Sequence, residues 1–266
     1  MKVAGKVWVV TGAGNGMGRE MTRQIIARGG KVFGIDISAE NLAGTSGLVT
    51  NVEDFKYEVL DITDRTKCVS LPDRVTKAFG QVDGLINNAG IIQPFVFVDD
   101  LEFKDIDRVM NVNFNGPLNL IKAFLPVLKK RPEAHIVNVS SMGGYGPVPG
   151  QTVYGASKAA IKLLTEGLRS ELTPTAVKVS AIYPGAIGTN IAANSGIKMD
   201  MSGVEAPAMK MTTVEDAGRI MIDGIESDQP RIFVGSDASM MDKLVRYLPV
   251  RAPRIIYDQM KSILPK

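Results

Sequence analysis

Short β-branched runs alternating with longer, helically patterned stretches leave this chain few folds to choose from. The runs KVWVVT (6–11), KVFGID (31–36), KYEVLD (56–61), DGLINN (83–88), AHIVNVSS (134–141) and VKVSAIYPG (177–185), followed late by RIFVG (231–235), read as buried strands. Between them MGREMTRQIIARG, FKDIDRVMNVNFNGPLNLIKAFLPVLKK and TVYGASKAAIKLLTEGLRSEL carry apolar residues at helical spacing. Such alternation requires crossover helices on both faces of a parallel sheet. The expected class is therefore α/β, a doubly wound parallel sheet of seven strands flanked by helices. At 266 residues the chain fits one such domain over 1–236, with a C-terminal amphipathic helical tail over 237–266. Pro72, inside TDRTKCVSLPDRVTKAFG, predicts a kinked or split helix.

Several function classes drop out on composition. No apolar run approaches the roughly 20 residues of a membrane-spanning helix. The short run VWVV leads straight into a glycine-rich turn, which is unlike a signal peptide. A single cysteine, Cys68, excludes an intrachain disulfide and fits a reducing, cytoplasmic setting. With one histidine, His135, no metal site is expected. The net charge of +3 is uneven, because from Asp242 onward six basic residues face two acidic ones. The body of the chain has no basic stripe with interleaved aromatics, so nucleic-acid binding is not expected.

Residues 189–212 break the pattern, with no clean periodicity and methionines at 199, 201, 209 and 211. Irregular segments of this length in compact domains commonly serve as lids, and methionine suits an adaptable apolar pocket. A substrate lid is expected there, with ordinary packing under a loop as the alternative.

The stretch TGAGNGMG sits between the first strand and the first helix. Gly12, Gly16 and Gly18 let the backbone turn sharply and approach a pyrophosphate, whose charge the helix amino terminus stabilises. The next strand ends at Asp36, whose carboxylate can accept both ribose hydroxyls of an adenosine and would repel a 2′-phosphate. Ile37 and Asn15 stand where basic residues could have neutralised that phosphate, so NAD is favoured over NADP. Alternatively, Asp36 is only the amino-cap of a helix beginning near Ser38.

The motifs run in order: TGAGNGMG, Asp61 in VLDIT, NNAG at 87–90, NVNFNG at 111–116, VNVSS at 137–141, YGASK at 154–158 and PGAIGT at 184–189. Over residues 5–190 the chain resembles the short-chain dehydrogenase/reductase family, which implies a Rossmann fold binding a nicotinamide dinucleotide. By that resemblance Gly12, Asn15, Gly16, Met17 and Gly18 form the pyrophosphate turn. Asp61, with the Ile62 backbone, would contact the adenine, and Asn88, Ala89 and Gly90 would lie against the adenosine ribose. Pro184, Gly185, Ile187 and Thr189 would hold the carboxamide and a nearby phosphate, while Tyr154 and Lys158 would also bond the nicotinamide ribose. The implied catalytic set is Asn113 (rather than Asn111), Ser141 (rather than Ser140), Tyr154 and Lys158.

These residue types suit ketone–alcohol chemistry. An unperturbed tyrosine, with a pKa of about 10, is a poor base near neutrality. Lys158, one helical turn on, shares a face with Tyr154, and its ammonium favours the phenolate, as would the positive nicotinamide ring of the oxidised coenzyme. Ser141 would donate to the substrate oxygen, and Asn113 would fix a water linking Lys158 to solvent. Taken as a pair alone, Tyr154 and Lys158 would read as a core aromatic with a surface lysine.

The expected function is an NAD-dependent oxidoreductase of secondary alcohols and ketones with apolar bodies: steroid, cyclic or fatty-chain. An NADPH-dependent ketone or 3-oxoacyl-thioester reductase is the alternative enzyme, and a catalytically silent nucleotide-sensing scaffold the alternative of another class. In the tail, Leu244 and Leu248, then Ile256, Met260 and Ile263, predict two short helices separated by Pro249 and Pro253. This departs from the family's usual tetramer-forming ending and points to a homodimer through the helices holding Asn113 and Tyr154. The basic tail packs over its own domain or rests on an anionic membrane.

Overall fold

The computed structural model describes residues 1–189, 191–197, 211–261 and 264. Strands β1 (Val7–Thr11), β2 (Lys31–Asp36), β3 (Phe55–Val59), β4 (Gly84–Asn87), β5 (Ala134–Val139), β6 (Val177–Pro184) and β7 (Arg231–Val234) form one sheet in the order β3-β2-β1-β4-β5-β6-β7. Every neighbouring pair is parallel. Helices α1 (Gly16–Ala27), α2 (Ala39–Ser46), α3 (Arg65–Val69), α4 (Leu71–Phe79), α5 (Phe103–Met110) and α6 (Gly116–Leu128) fill the first crossovers. They are followed by α7 (Thr152–Glu171), α8 (Ile191–Asn194), α9 (Val214–Glu226), α10 (Ser236–Tyr247) and α11 (Ala252–Met260). The chain winds outward from β1 to β3, then returns to place β4 on the other side of β1. That reversal opens a crevice beyond the strand carboxyl ends, where ligands bind in such sheets.

Each face of the sheet carries its own core. Trp8 and Val10 join Met21, Ile25, Met221 and Ile225 on one side. Val7 and Val9 join Leu71, Leu120, Phe124 and Leu168 on the other. The near-continuous apolar character of β1, β4, β5 and β6 follows from burial on both faces, whereas the edge strand β3 is largely exposed. Gly84, in the middle of the sheet, makes room for the fully buried Trp8, since a Cβ there would lie 2.2 Å from Trp8 Cε3. Gly84→Ala is expected to cost about 1–3 kcal/mol through overpacking. A thermal melt equal to the parent's would contradict that packing account.

Two helix expectations meet different outcomes. The helix containing Pro72 splits at Ser70 into α3 and α4, with the proline in the first turn of α4. The long helical pattern over 103–130 is broken by a π-helical turn at Asn111–Asn115, between α5 and α6. A single inserted residue leaves the apolar spacing nearly unchanged, so periodicity does not reveal it.

The tail forms two helices, but only Pro249 separates them, because Pro253 lies in the first turn of α11, where proline costs no hydrogen bond. Ile256 is buried while Leu248 is exposed, so the expected apolar stripe is not continuous. Helix α10 is tied down by the Tyr145 hydroxyl, which donates to Ala238 O at 2.7 Å, and by Asp242, which accepts from Arg231 Nη2 at 2.6 Å. Met199, Met201, Met209, Ile263 and most of the expected lid lie outside the described residues, and Met211 is exposed. No helix among the described residues is long and apolar enough to cross a membrane.

Candidate active site

At the crevice, the exit of β1 is bound to the exit of β4. Thr11 Oγ1 accepts from the backbone N–H groups of Asn88 at 3.0 Å and Ala89 at 2.9 Å, and Asn88 Nδ2 donates to Thr11 O at 2.9 Å. Gly12 and Gly16 adopt positive φ of 67° and 50°, which side-chain-bearing residues avoid. Gly18 is obligatory for another reason, as a Cβ there would lie 2.1 Å from Gly12 O. Asn15 caps α1 by accepting from Gly16 N at 2.7 Å.

Beside this turn lies a cavity of about 600 Å³. Of the expected cofactor residues, Gly12, Asn15, Gly16, Met17, Asp36, Asp61, Ile62, Asn88, Ala89, Gly90 and Thr189 line it. Gly18 supports it from behind. Asn88 Oδ1 is buried without a hydrogen-bond partner among the described residues. The Asp36 carboxylate accepts from Gly14 N and Ser38 N, both at 3.0 Å. The cap of α2 is Ser38, which accepts from Asn41 N at 3.2 Å, so Asp36 is not that cap. Asp61 accepts from Thr63 N and Thr63 Oγ1, both at 2.8 Å.

Pro184, Gly185 and Ile187 do not line this cavity. Gly185 is packed against Asp237, whose carboxylate accepts from Ala186 N at 2.6 Å. Ile187 bridges to Thr212.

Tyr154 and Lys158 project from the first turns of α7. Lys158 is buried, its ammonium donating to Val139 O at 3.1 Å and lying 5.9 Å from the Tyr154 ring centre. Asn113 holds this region together. Its Oδ1 accepts from Ile91 N at 2.9 Å, and its Nδ2 donates to Ile91 O at 2.9 Å and Ser157 Oγ at 3.0 Å. Both amide hydrogens are thereby committed, which removes them from the expected water-holding part. Lys158 Nζ and Asn113 Oδ1 converge on Gly90, where a Cβ would sit 3.0 and 3.2 Å from them. The two serines differ. Ser140 is buried and donates to Lys158 O at 2.7 Å, whereas Ser141 accepts from Gly143 N at 3.0 Å and lines a second cavity with Tyr154. This cavity, of about 210 Å³, has walls of Ile92, Phe95, Val148 and Ile197.

Burial dominates the electrostatics. It pushes the Tyr154 phenol above its ordinary range, opposed by the Ser141 hydroxyl beside it. In the chain alone, burial therefore outweighs what favours the phenolate. Burial also brings the Lys158 ammonium down from 10.5 to about 8. His135, the sole histidine, is buried and pushed down to about 3, so it stays neutral. A base whose folded pKa is lowered costs stability in full below that pKa, and the cost fades as pH rises toward the unfolded value. Lys158→Met is thus expected to stabilise the fold at neutral pH by about 2 kcal/mol. Melting curves should show the advantage shrinking as pH climbs from about 8 toward 10.5.

Sequence reasoning missed Gln93 and Arg19. Gln93, fully buried, accepts through Oε1 from Val153 N at 2.8 Å and Tyr154 N at 2.9 Å, satisfying the first turn of the helix that carries Tyr154. A glutamine inside the apolar run IIQPFVF was the available signal. Arg19 donates to Gly14 O and, through Nε, to Thr45 Oγ1 at 3.1 Å, which brings a cation next to the Asp36 end of the cavity.

The chain matches the family model described as short chain dehydrogenase over residues 6–200. It is 34% identical over 269 residues to SadH of Mycobacterium tuberculosis, which bears the name of an oxidoreductase, covering 98% of this chain and 97% of that protein. A short chain dehydrogenase from Burkholderia cenocepacia, solved with NADP, superposes with a TM-score of 0.79 at 26% identity over 100% of both chains. The 3-ketoacyl-(acyl-carrier-protein) reductase of Brucella melitensis, solved with NADH, gives a TM-score of 0.79 at 25% identity, covering 89% of this chain and 100% of that one.

Proposed function

Because this chain belongs to the short-chain dehydrogenase family of NAD(P)-dependent oxidoreductases, we propose that it interconverts a secondary alcohol and a ketone on an apolar body, with NAD as its coenzyme. The residues fit such a coenzyme. Gly12, Gly16 and Gly18 leave a cradle that side chains would fill, and Asn88 Oδ1 is a buried acceptor awaiting a donor. When bound, the nicotinamide supplies or accepts the hydride.

The chain's own residues do the rest. Tyr154 moves the proton at the substrate oxygen, as base in oxidation and acid in reduction. Lys158 spends one ammonium hydrogen on Val139 O and keeps two for the ribose and for stabilising the phenolate. Ser141, already accepting from Gly143 N, has its own hydrogen left to donate to the substrate oxygen. Asn113 acts by position, clamping Ile91 and the Ser157 turn of α7. The observation that carries this reading is Ser141 and Tyr154 sharing one apolar-walled cavity above a buried Lys158.

Asp36 on the large cavity favours NAD by its charge. NADP has one observation in its favour, the Arg19 guanidinium reaching Gly14 O. Initial rates with NADH and NADPH over a panel of ketones separate the two, and a marked NADPH preference would overturn the Asp36 argument. Oxidation is expected to rise roughly tenfold per pH unit below the pKa controlling Tyr154, and reduction to fall above it. Rates flat with pH would contradict the proton-transfer role. The outward faces of α5 and α7 leave Phe103 and Leu163 exposed, which supports two-fold pairing and is tested by sedimentation.

A further inference from the structure

The last two helices are anchored on one side and carry exposed apolar residues on the other. Helix α10 turns Ala238 and Asp242 inward, and α11 does the same with Ala252 and Ile256. On the opposite sides, at helical spacing, Met240, Lys243 and Tyr247 and then Arg254, Tyr257 and Lys261 are exposed. At the corner between the helices every residue of RYLPVR (246–251) is exposed, Tyr247 by 80% and Val250 by 89%. Four successive apolar residues open to water are out of place on a protein surface unless they serve a contact. Loose packing is not the cause, because the inner side of α10 is tied down. Besides the Tyr145 and Asp242 contacts, Met241 fills the space beside Gly146, where a Cβ would lie 2.7 Å from Met241 Cγ.

The acids of this segment are spent. Asp237 accepts from Ala186 N, Asp242 is shared by Arg231 and Arg246, and Asp258 faces Arg254. Lys243 and Arg251 have no ion pair among the described residues, so positive charge stands on both sides of the apolar corner. We propose that this corner is a docking surface for an anionic lipid bilayer. Tyr247, Leu248 and Val250 enter the headgroup region, and Lys243, Arg246 and Arg251 meet the lipid phosphates. Tyrosine suits that boundary, where one end of its ring system is apolar and the other wet. Lysine and arginine stems lie along apolar surface while their charged heads reach the anionic headgroups. The corner lines neither cavity, and its residues project rather than enclose, which suits a deformable plane better than a bound peptide. A second copy fits less well, since two-fold pairing would set the corner's arginines against their own copies.

Vesicle sedimentation tests this on the full chain and needs no turnover, so it stands or falls apart from the proposed reaction. Vesicles of equal parts phosphatidylcholine and phosphatidylglycerol are expected to carry the protein down at low salt. Phosphatidylcholine alone should leave it in solution, and added salt should weaken the binding by screening. Arg251→Gln is expected to lower the partition about fivefold and Val250→Asp by about tenfold or more. Both side chains are exposed, so the melting temperatures should match the parent's. Tyr247→Trp reports insertion, through quenching of its fluorescence by lipids with brominated chains. The one native tryptophan, Trp8, is fully buried in the sheet and stays out of their reach. No sedimentation with the anionic vesicles at low salt would overturn the proposal, and so would variants that sediment like the parent. Sedimentation without quenching would reduce the contact to surface charge and defeat the insertion of the corner. Self-association that disappears in Val250→Asp would assign the corner to a second copy instead. Polyglutamate that binds the parent but not Val250→Asp, with no quenching by lipid, would assign it to an acidic polypeptide.

Discussion

Tyr154→Phe is expected to lower turnover by roughly a thousandfold while leaving NADH affinity nearly intact. The change deletes one oxygen and keeps the ring, whose Cε1 packs 3.5 Å from where a Gly143 Cβ would stand, so the fold and the coenzyme crevice should be undisturbed. What disappears is the hydroxyl beside Ser141 that, on the proposed reading, holds and releases the proton of the substrate oxygen. His135 cannot substitute, since it is buried, neutral and bonded to Ser180 Oγ at 2.9 Å. Steady-state rates together with a fluorescence titration of NADH check the two halves of the prediction. A variant keeping most of its activity would show that the proton moves by another route.

The second large effect is expected at Asp36. Asp36→Arg should move the NADPH-to-NADH ratio of kcat/KM toward NADPH by about a hundredfold or more, as a repulsive charge beside the 2′-phosphate becomes an attractive one. The substitution also strips Gly14 N and Ser38 N of their acceptor, so some loss of NADH activity would follow from loosening the glycine turn alone. The diagnostic half is therefore the gain with NADPH, which structural damage cannot produce. Unchanged preference would transfer the discrimination to other groups, with Arg19 the first to examine.

How much of this was legible in the sequence depended on how local the responsible physics was. The seven strands and their parallel arrangement followed from β-branched runs spaced by helical stretches, because burial on both faces of a sheet writes itself into its central strands. The glycine turn was legible for a similar reason, since Gly12 and Gly16 need backbone angles that few other residues accept. Gln93 was not legible, because it caps a helix begun some 60 residues later and no local pattern announces a contact across the fold. The same holds for Asp237, which closes on Ala186 from beyond the last strand. The π-helical turn at Asn111–Asn115 was hidden differently, by a one-residue insertion within an otherwise helical pattern.

Burial at the Tyr154–Lys158 pair was not legible in the spacing either. Four residues of separation place the ammonium near the phenol, but they do not reveal that both sit where charge is costly. Tyr154 is pushed upward and Lys158 down to about 8 by the same desolvation. Both groups therefore resist charging in the chain alone, and the expected phenolate draws on Lys158 and the positive nicotinamide ring together.

The most direct test is the near-ultraviolet difference spectrum of tyrosinate, recorded during a pH titration with saturating NAD⁺, for the wild-type protein and for Tyr154→Phe. Six tyrosines contribute, and subtracting the variant isolates one. The account predicts a phenolate signal in the wild-type complex that appears well below the ordinary tyrosine pKa of about 10 and is missing from the variant. Identical titrations of the two proteins would contradict it.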